Sequence, residues 1–270
     1  MEFKNIFVVY DPTRSEQPAL ERAGNIAREI GGEVHVYVAI HTEMAKSADW
    51  KTEITRLLAS QRERLSTAVL PLRGRGVPVS IEVEWDKDWY RAVVAAAKRN
   101  RADVVLKSSY RHSSRERYLN RTSDWTLIRN CPCPVLLVKD SRHRDSRRVL
   151  AAIDIRAANE SYEQLNRHII DFSQRMLDSR GAEVHFINAF DELDAVPDRN
   201  ALVKSCGVSS DRVHIEMGEA EEVIVRGARD LDVSLVVVGN SARTGLSAVF
   251  KGNTVEKVLD KLDCDVLSMP

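Results

Sequence analysis

One stretch of the sequence, Leu235 to Thr254 (LVVVGNSARTGLSAVFKGNT), combines the pattern of a buried strand with groups that could hold a phosphate. Its apolar run ends at Gly239, as is typical of a strand covered on both faces of a parallel sheet. Ligands of such sheets bind beyond the carboxyl ends of the strands. Gly239 is expected to free the backbone for a tight turn, and Gly252 to open a helix whose unpaired N–H groups attract an anion. The stretch therefore predicts a phosphate-binding loop.

The spacing of this loop is Gly239, two residues to Ala242, and nine more to Gly252 and Asn253. It resembles the G-x-x-G-x9-G-[ST] phosphate loop of nucleotide-binding universal stress proteins, with Ala242 replacing the second glycine and Asn253 replacing Ser or Thr. Ala242 costs ~1 kcal/mol if the position needs a positive φ. Asn253 keeps its backbone N–H, so we expect weakened rather than abolished binding. A purely structural interpretation stays open, because any βα loop can carry glycines for its turns.

The resemblance also implies where the rest of a nucleotide would lie. In the family, the acid that closes the first strand contacts the base or ribose side, and a residue of the second strand packs against adenine. The implied cofactor-binding residues are Asp154, Ile187, Asn188, Gly239, Ala242, Arg243, Thr244, Gly252, Asn253 and Thr254. The implied ligand is ATP or another adenine nucleotide, with or without Mg²⁺. We predict no catalytic residue and no metal site formed by the protein's own side chains.

Two similar halves position these residues. The segments EVHVYVAI (Glu33 to Ile40) and EVHFINAF (Glu183 to Phe190) share the sequence Glu-Val-His and a later Ala, and both halves show strands alternating with helices. We predict domains over residues 1–140 and 148–270, with a charged linker at 141–147. The whole pattern resembles tandem universal stress proteins. It implies an α/β fold of two flavodoxin-like (Rossmann-like) domains, each a five-stranded parallel sheet of order 3-2-1-4-5 with flanking helices.

The first half is expected to carry a degenerate site. Lys107 to Tyr110 stand in place of Gly239 to Ala242, so neither the glycine nor space for a phosphate remains, and Arg121 stands in place of Gly252. Asp11 closes the first strand, and without a phosphate cradle behind it we interpret it as a structural cap. The segment after Phe190 is predicted to be too short for the long helix of the first half.

Composition and charge limit the class of protein. With 270 residues, 43% apolar and 30% charged, the chain suits two soluble domains, and no apolar run approaches a membrane span. The start lacks the features of a signal peptide, so a cytoplasmic protein is expected. The four cysteines form no C-x-x-C motif and are predicted to be buried free thiols. The net charge is +5 over residues 1–140 (23 Lys and Arg against 18 Asp and Glu) and −7 over 148–270 (14 against 21), which argues against nucleic-acid binding.

The two halves are expected to form a pseudo-dimer within one chain through their last strands, Val135 to Val138 and Asp265 to Met269, because such pairing covers exposed strand edges. A homodimer of whole chains stays open. Our leading hypothesis is a cytoplasmic stress-response protein whose second domain binds an adenine nucleotide and acts as a binding or signalling module. Two alternatives remain: a slow ATPase using Asp154, Arg243 and a metal, and a binder of a non-nucleotide metabolite or acyl chain with both nucleotide sites lost.

Overall fold

The computed structural model describes residues 3–43, 49–109, 126–139, 146–154, 160–192, 196–240, 258–259 and 261–270. The chain forms two compact units, residues 1–140 and residues 141–270. We call them the first and the second unit. Each unit is built on a parallel sheet with helices packed against it.

The sheet of the first unit has the strand order β3-β2-β1-β4-β5. Its strands are β1 (Asn5–Val9), β2 (Glu33–Ile40), β3 (Val79–Trp85), β4 (Val104–Ser109) and β5 (Val135–Lys139). Its helices are α1 (Pro18–Ile30), α2 (Trp50–Ala68), α3 (Leu70–Gly74), α4 (Trp89–Arg99) and α5, which covers residues 126–130.

The second unit repeats this arrangement, with the strand order β8-β7-β6-β9-β10. Its strands are β6 (Arg148–Ala152), β7 (Glu183–Phe190), β8 (Val213–Met217), β9 (Leu235–Gly239) and β10 (Asp265–Met269). Its helices are α6 (Glu160–Arg180), α7 (Arg199–Cys206) and α8 (Ala220–Asp230). Numbered within each unit, both sheets read 3-2-1-4-5, so the predicted fold class is confirmed.

The apolar content of the sequence explains why β1 and β6 lie at the centre of their sheets. Val149, Leu150 and Ala151 of β6 are each at most 2% exposed, because β7 and β9 flank the strand. Parallel strands need helical crossovers, and right-handed crossovers bring every carboxyl end to the same edge of the sheet. The ends of β6, β7 and β9 are therefore neighbours at that edge.

The helices differ between the units in two places. Helix α6 has 21 residues, whereas α1, which follows the first strand of the first unit, has 13. Helix α7 has 8 residues, whereas α2 has 19. The prediction that the second half lacks the long helix is confirmed.

Two further features of the structure concern the cysteines and the apolar character of the helices. All four cysteines are free and buried, as predicted. In the described ranges, no helix combines the length and the apolar character needed to cross a membrane.

Candidate functional site

Three predicted site residues lie on adjacent strands at the carboxyl edge of the second unit's sheet. Asp154 follows β6, Asn188 lies near the end of β7, and Gly239 is the last residue of β9. Strand β6 pairs with both β7 and β9, so the three positions converge at one edge. This is the place where open parallel sheets bind ligands.

The backbone of Asp154 is held by a side chain of the following helix. Asn166 of α6 accepts a hydrogen bond from Asp154 N through Oδ1 (3.1 Å) and donates one to Asp154 O through Nδ2 (2.6 Å). This two-bond clamp fixes the peptide groups on both sides of Asp154 at the end of β6. An amide within a helix gives little signal in the sequence, and we did not predict a role for Asn166.

The first unit has the same clamp on the acid that follows its first strand. Gln17 accepts a hydrogen bond from Asp11 N (3.1 Å) and donates one to Asp11 O (2.7 Å). The Asp11 carboxylate accepts hydrogen bonds from Thr13 N (2.9 Å) and from Thr13 Oγ1 (2.6 Å). Asp11 therefore caps its own turn, which confirms the prediction of a structural role.

Asn188 is a buried polar residue beside this clamp. It is 1% exposed, and its Nδ2 donates a hydrogen bond to Ile153 O (3.0 Å) on the neighbouring strand. Its Oδ1 is buried and accepts no hydrogen bond in the part of the chain that the structure describes. A buried amide oxygen without a donor is rare and costs ~1–3 kcal/mol, so it needs an explanation.

Ile187 lies on the opposite face of the sheet from Asn188, because successive side chains of a strand alternate. Its Cδ1 is 2.7 Å from the place where a Cβ at Gly227 of α8 would lie, and Ile187 is 2% exposed. Ile187 is thus packed as a core residue under α8.

Gly239 has a packing role that the sequence did not predict. Its φ is outside the left-handed region, so it is not required for a tight turn. A Cβ at this position would lie 2.5 Å from Cδ2 of Leu165 and 3.2 Å from Cδ1 of Ile169, both on α6. The missing side chain therefore lets α6 approach the end of β9.

The same place in the first unit is occupied by Ser108. Val104 pairs with Ile6 and Leu235 pairs with Val149, and each partner is the second residue of its central strand, so Val104 and Leu235 are equivalent. Ser108 and Gly239 lie four residues after them and are therefore equivalent too. The sequence prediction that Lys107 stands in place of Gly239 is wrong by one residue. That alignment followed the end of the apolar run, whereas the pairing register decides the correspondence.

Ser108 also serves the helix that follows the first strand. Its Oγ accepts a hydrogen bond from Ala19 N (3.0 Å) in the first turn of α1. In the second unit, α6 instead packs against the bare backbone of Gly239. Both residues position the helix after the first strand, although by different means.

We expect Gly239→Ala to lower the free energy of unfolding by ~1–3 kcal/mol, because the added methyl group collides with Leu165. The same change should cost little in a Leu165→Ala background, where the space is free. Urea unfolding of the single and double variants measures this coupling. Gly74→Ala is the matched control, since nothing lies within 4 Å of a Cβ there. Equal effects at Gly239 and Gly74 would contradict the packing role.

The remaining predicted site residues, Ala242, Arg243, Thr244, Gly252, Asn253 and Thr254, fall within 241–257, outside the described residues. Their role in binding phosphate stays a prediction from the sequence. Within the described ranges, no group of three or more His, Cys, Asp or Glu side chains is arranged to hold a metal ion.

A histidine pair lies on the same sheet, between β7 and β8. His185 Nδ1 and His214 Nε2 are 3.0 Å apart with the rings stacked, and His185 Nε2 is 3.1 Å from Glu183 Oε1. If His185 Nε2 donates to Glu183, His185 Nδ1 accepts a hydrogen bond from His214 Nε2. Each ring then needs only one N–H, so the arrangement suits two neutral imidazoles. Burial lowers the pKa of His214, and a proton on the neighbouring His185 would lower it further. The other charges that act on His214 are those of Glu216, Arg199 and Asp211.

The lowered pKa of His214 predicts acid sensitivity of the second unit. The unfolded chain binds the proton more readily than the folded one, so the free energy of unfolding should fall as the pH drops below ~6.5 and continue to fall until the folded pKa is passed. We expect His214→Gln to flatten this slope, because glutamine can donate to His185 without titrating. Urea unfolding between pH 7 and pH 5 measures it, with the exposed His168→Gln as control. Identical slopes for the wild type and His214→Gln would overturn the assignment.

Known proteins are similar to this chain over most of its length. The model of the universal stress protein family matches residues 2–139 and 195–270. Universal stress protein E of Escherichia coli (strain K12) is 30% identical over 98% of this chain and 93% of its own length. A functionally unknown protein of Pseudomonas aeruginosa PAO1 has a solved structure with 27% identity and a TM-score of 0.78, covering 99% of this chain and 92% of that one. A universal stress protein from Archaeoglobus fulgidus DSM 4304, 17% identical, has a TM-score of 0.74 over 98% and 95% of the two chains, a likeness of fold.

Proposed function

Because the chain belongs to the universal stress protein family, we propose that its second unit binds an adenine nucleotide and that the protein acts as a stress-response binding or signalling module. The observation that carries this proposal is the convergence of Asp154, Asn188 and Gly239 at the carboxyl ends of three adjacent strands. The loop that follows β9 has the spacing of a phosphate loop. Its glycine-opened helix start would hold the phosphates through backbone N–H groups.

The two units contribute unequally to this function. In the first unit, Asp11 is engaged by its own turn and Ser108 by the start of α1. In the second unit, Gly239 and Gly252 keep the spacing of the phosphate loop, which the first half lacks. These differences support a single nucleotide site per chain, in the second unit. Mg²⁺ would accompany the nucleotide through its phosphate oxygens.

Isothermal titration of the full chain with ATP, ADP and AMP tests the proposal directly. We expect saturable binding with one site per chain. No heat change and no thermal stabilisation at millimolar nucleotide would refute it. Phosphate release measured alongside separates a binding protein from a slow ATPase.

We expect Asn188→Val to weaken nucleotide binding about tenfold while changing the free energy of unfolding little. Valine is the residue at the corresponding place in the first unit, Val38, which is 1% exposed. The change removes an acceptor suited to an adenine amino group, so binding should weaken. It also removes both the hydrogen bond to Ile153 and the unpaired buried oxygen, and the effects of these two losses on stability offset each other. Titration of Asn188→Val beside Ile187→Val compares the two faces of β7. A loss confined to Ile187→Val would assign the contact to Ile187 instead.

A second candidate function rests on Gly239. Its missing side chain is explained by the approach of Leu165, so this glycine alone is no evidence for a phosphate. Together with Ala242 in the loop, this supports the alternative of a different small metabolite or an acyl chain in the second unit. Native mass spectrometry of the protein as purified, followed by identification of any retained ligand, distinguishes the two. A retained lipid or metabolite together with no nucleotide binding would favour the alternative.

We also propose that the two units associate as a pseudo-dimer within the chain and that the protein acts in the cytoplasm. The internal duplication and the opposite net charges of the halves support the first statement. Residues 1–140 and 148–270, expressed separately, should be poorly soluble or self-associating. Two well-behaved monomers would contradict the pseudo-dimer. Fractionation of the host cell tests the location, and recovery in the membrane or outside the cell would contradict it.

A further inference from the structure

Two cysteines of the first unit face each other just before β5, at the amino-terminal edge of that unit's sheet. Cys131 and Cys133 lie between α5 and β5, on either side of Pro132, and their Sγ atoms are 3.6 Å apart. They are 5% and 7% exposed. One intervening residue limits the separation of their Cα atoms to ~7.2 Å, and the contact between the Sγ atoms shows that the two side chains point at each other.

The backbone on both sides of the pair is fixed by hydrogen bonds. Cys131 N, just after α5, donates to Leu127 O of that helix (2.9 Å), and Val105 N of β4 donates to Pro134 O (2.9 Å), just before β5. Pro132 between them has a restricted φ. The contact between the two sulfur atoms is therefore set by the fold and does not depend on a mobile loop.

The second unit shows that packing alone does not require two thiols here. The pairing registers of β5 and β10 place Cys264 in correspondence with Cys133, so Leu262 corresponds to Cys131. Leu262 and Cys264 are each 5% exposed. The equivalent buried position is thus a leucine, Leu262, in the second unit and a second cysteine, Cys131, in the first. The dithiol is specific to the first unit.

The contact between the thiols makes them unequal. Either sulfur can be the donor in this contact, and a bond donated by the Cys133 S–H lowers the pKa of Cys131 although burial opposes the effect. The same hydrogen bond, together with burial, raises the pKa of Cys133. A thiolate is the form of cysteine that attacks an oxidant. With Cys133 as the donor, Cys131 is the attacking sulfur and Cys133 the resolving one.

We propose that Cys131 and Cys133 form a redox site that a peroxide oxidises to an intramolecular disulfide. The Cys131 thiolate attacks one peroxide oxygen, the O–O bond breaks, and Cys131 becomes a sulfenic acid while hydroxide leaves. The Cys133 sulfur then attacks the Cys131 sulfur, the S–O bond breaks, and water leaves with the Cys133 proton. In sum, two thiols lose two electrons and two protons, and hydrogen peroxide is reduced to two waters.

This site is independent of nucleotide binding and lies in the other unit. A bridge across one intervening residue closes a small ring, and strained disulfides are readily reduced again. The oxidised state is therefore reversible by a thiol reductant. The chemistry would give a stress-response protein a direct response to peroxide.

The test uses the reduced, folded full chain exposed to a small molar excess of hydrogen peroxide, followed by intact mass and by counting thiols with a maleimide after unfolding. Of the four thiols, we expect two to disappear, with the mass falling by two hydrogen atoms, and dithiothreitol to restore both values. Peptide mapping should place the lost hydrogens in the segment containing Cys131 and Cys133.

Two variants serve as matched controls. Cys264→Ser should behave as the wild type, because it leaves the pair intact. Cys131→Leu, which copies Leu262, should keep its remaining thiols or gain oxygen, and it should react about tenfold more slowly. Cys131→Ser gives the same comparison if the leucine variant does not fold, as judged by circular dichroism. The proposal is overturned if the wild type keeps four thiols, or if the Cys131 variants lose two hydrogens at the wild-type rate.

Discussion

We expect Gly252→Asp to weaken adenine-nucleotide binding about ten- to hundredfold, because the loss of an anion contact costs ~1–3 kcal/mol. The new carboxylate would stand at the helix start that the sequence assigns to the phosphates, where like charges repel and the side chain blocks close approach. A labelled nucleotide is needed for the titration. All four tryptophans lie in the first half, so their emission does not report on this site.

The matched control for Gly252→Asp is Arg121→Asp, at the place in the first half that corresponds to Gly252 by sequence. It introduces the same carboxylate and should leave the affinity nearly unchanged. Ala242→Gly should tighten binding, because it removes a Cβ near the phosphates and, if the position needs a positive φ, also relaxes the turn. Equal losses from Gly252→Asp and Arg121→Asp would show that the nucleotide is not held by the second half alone.

We expect Leu150→Ala to lower the free energy of unfolding of the second unit by ~2–5 kcal/mol, and Phe7→Ala to lower that of the first by ~3–5 kcal/mol. Both residues are 0% exposed and are the third residue of their central strand. Truncation removes apolar contacts and leaves a cavity in each core. Nucleotide at ~100 times its Kd should raise the free energy of unfolding of the unit that binds it by about 2.7 kcal/mol.

This pair of variants therefore assigns the nucleotide to a unit without altering the site. Tryptophan emission follows unfolding of the first unit, since Trp50, Trp85 and Trp89 lie there, and far-ultraviolet circular dichroism follows both units. We expect nucleotide to rescue Leu150→Ala and to leave Phe7→Ala unrescued. Rescue of Phe7→Ala alone, or of both variants equally, would contradict the assignment to the second unit.

The sequence by itself determined the fold class and the duplication. The repeat of Glu33 to Ile40 at Glu183 to Phe190 predicted β2 and β7 with the bounds that the structure has. Such strands are buried on both faces, so their apolar runs stand out from the polar turns around them. The order of the strands then followed from right-handed crossovers and the family resemblance. Asp154 and Asn188 could be placed at the carboxyl edge for the same reason.

Only the tertiary structure decided what several of these residues contact. The approach of Leu165 to Gly239, the clamp of Asn166 on Asp154 and the contact between Cys131 and Cys133 depend on the close distances between packed elements. Residue types and spacing indicate the periodicity of a strand or helix, but they do not determine how closely a helix packs against a sheet.

The pairing register is the other feature that the sequence left open. A polar Lys107 at the end of an apolar run looked like the end of the strand, yet β4 continues to Ser109 because Ser108 and Ser109 pair with Val138 and Lys139 of β5. Hydrogen bonds between strands fix the correspondence, and they are satisfied along the backbone whatever the side chain is. The equivalence of Ser108 to Gly239 was therefore decided by the strand pairing within each sheet and not by the pattern of residues.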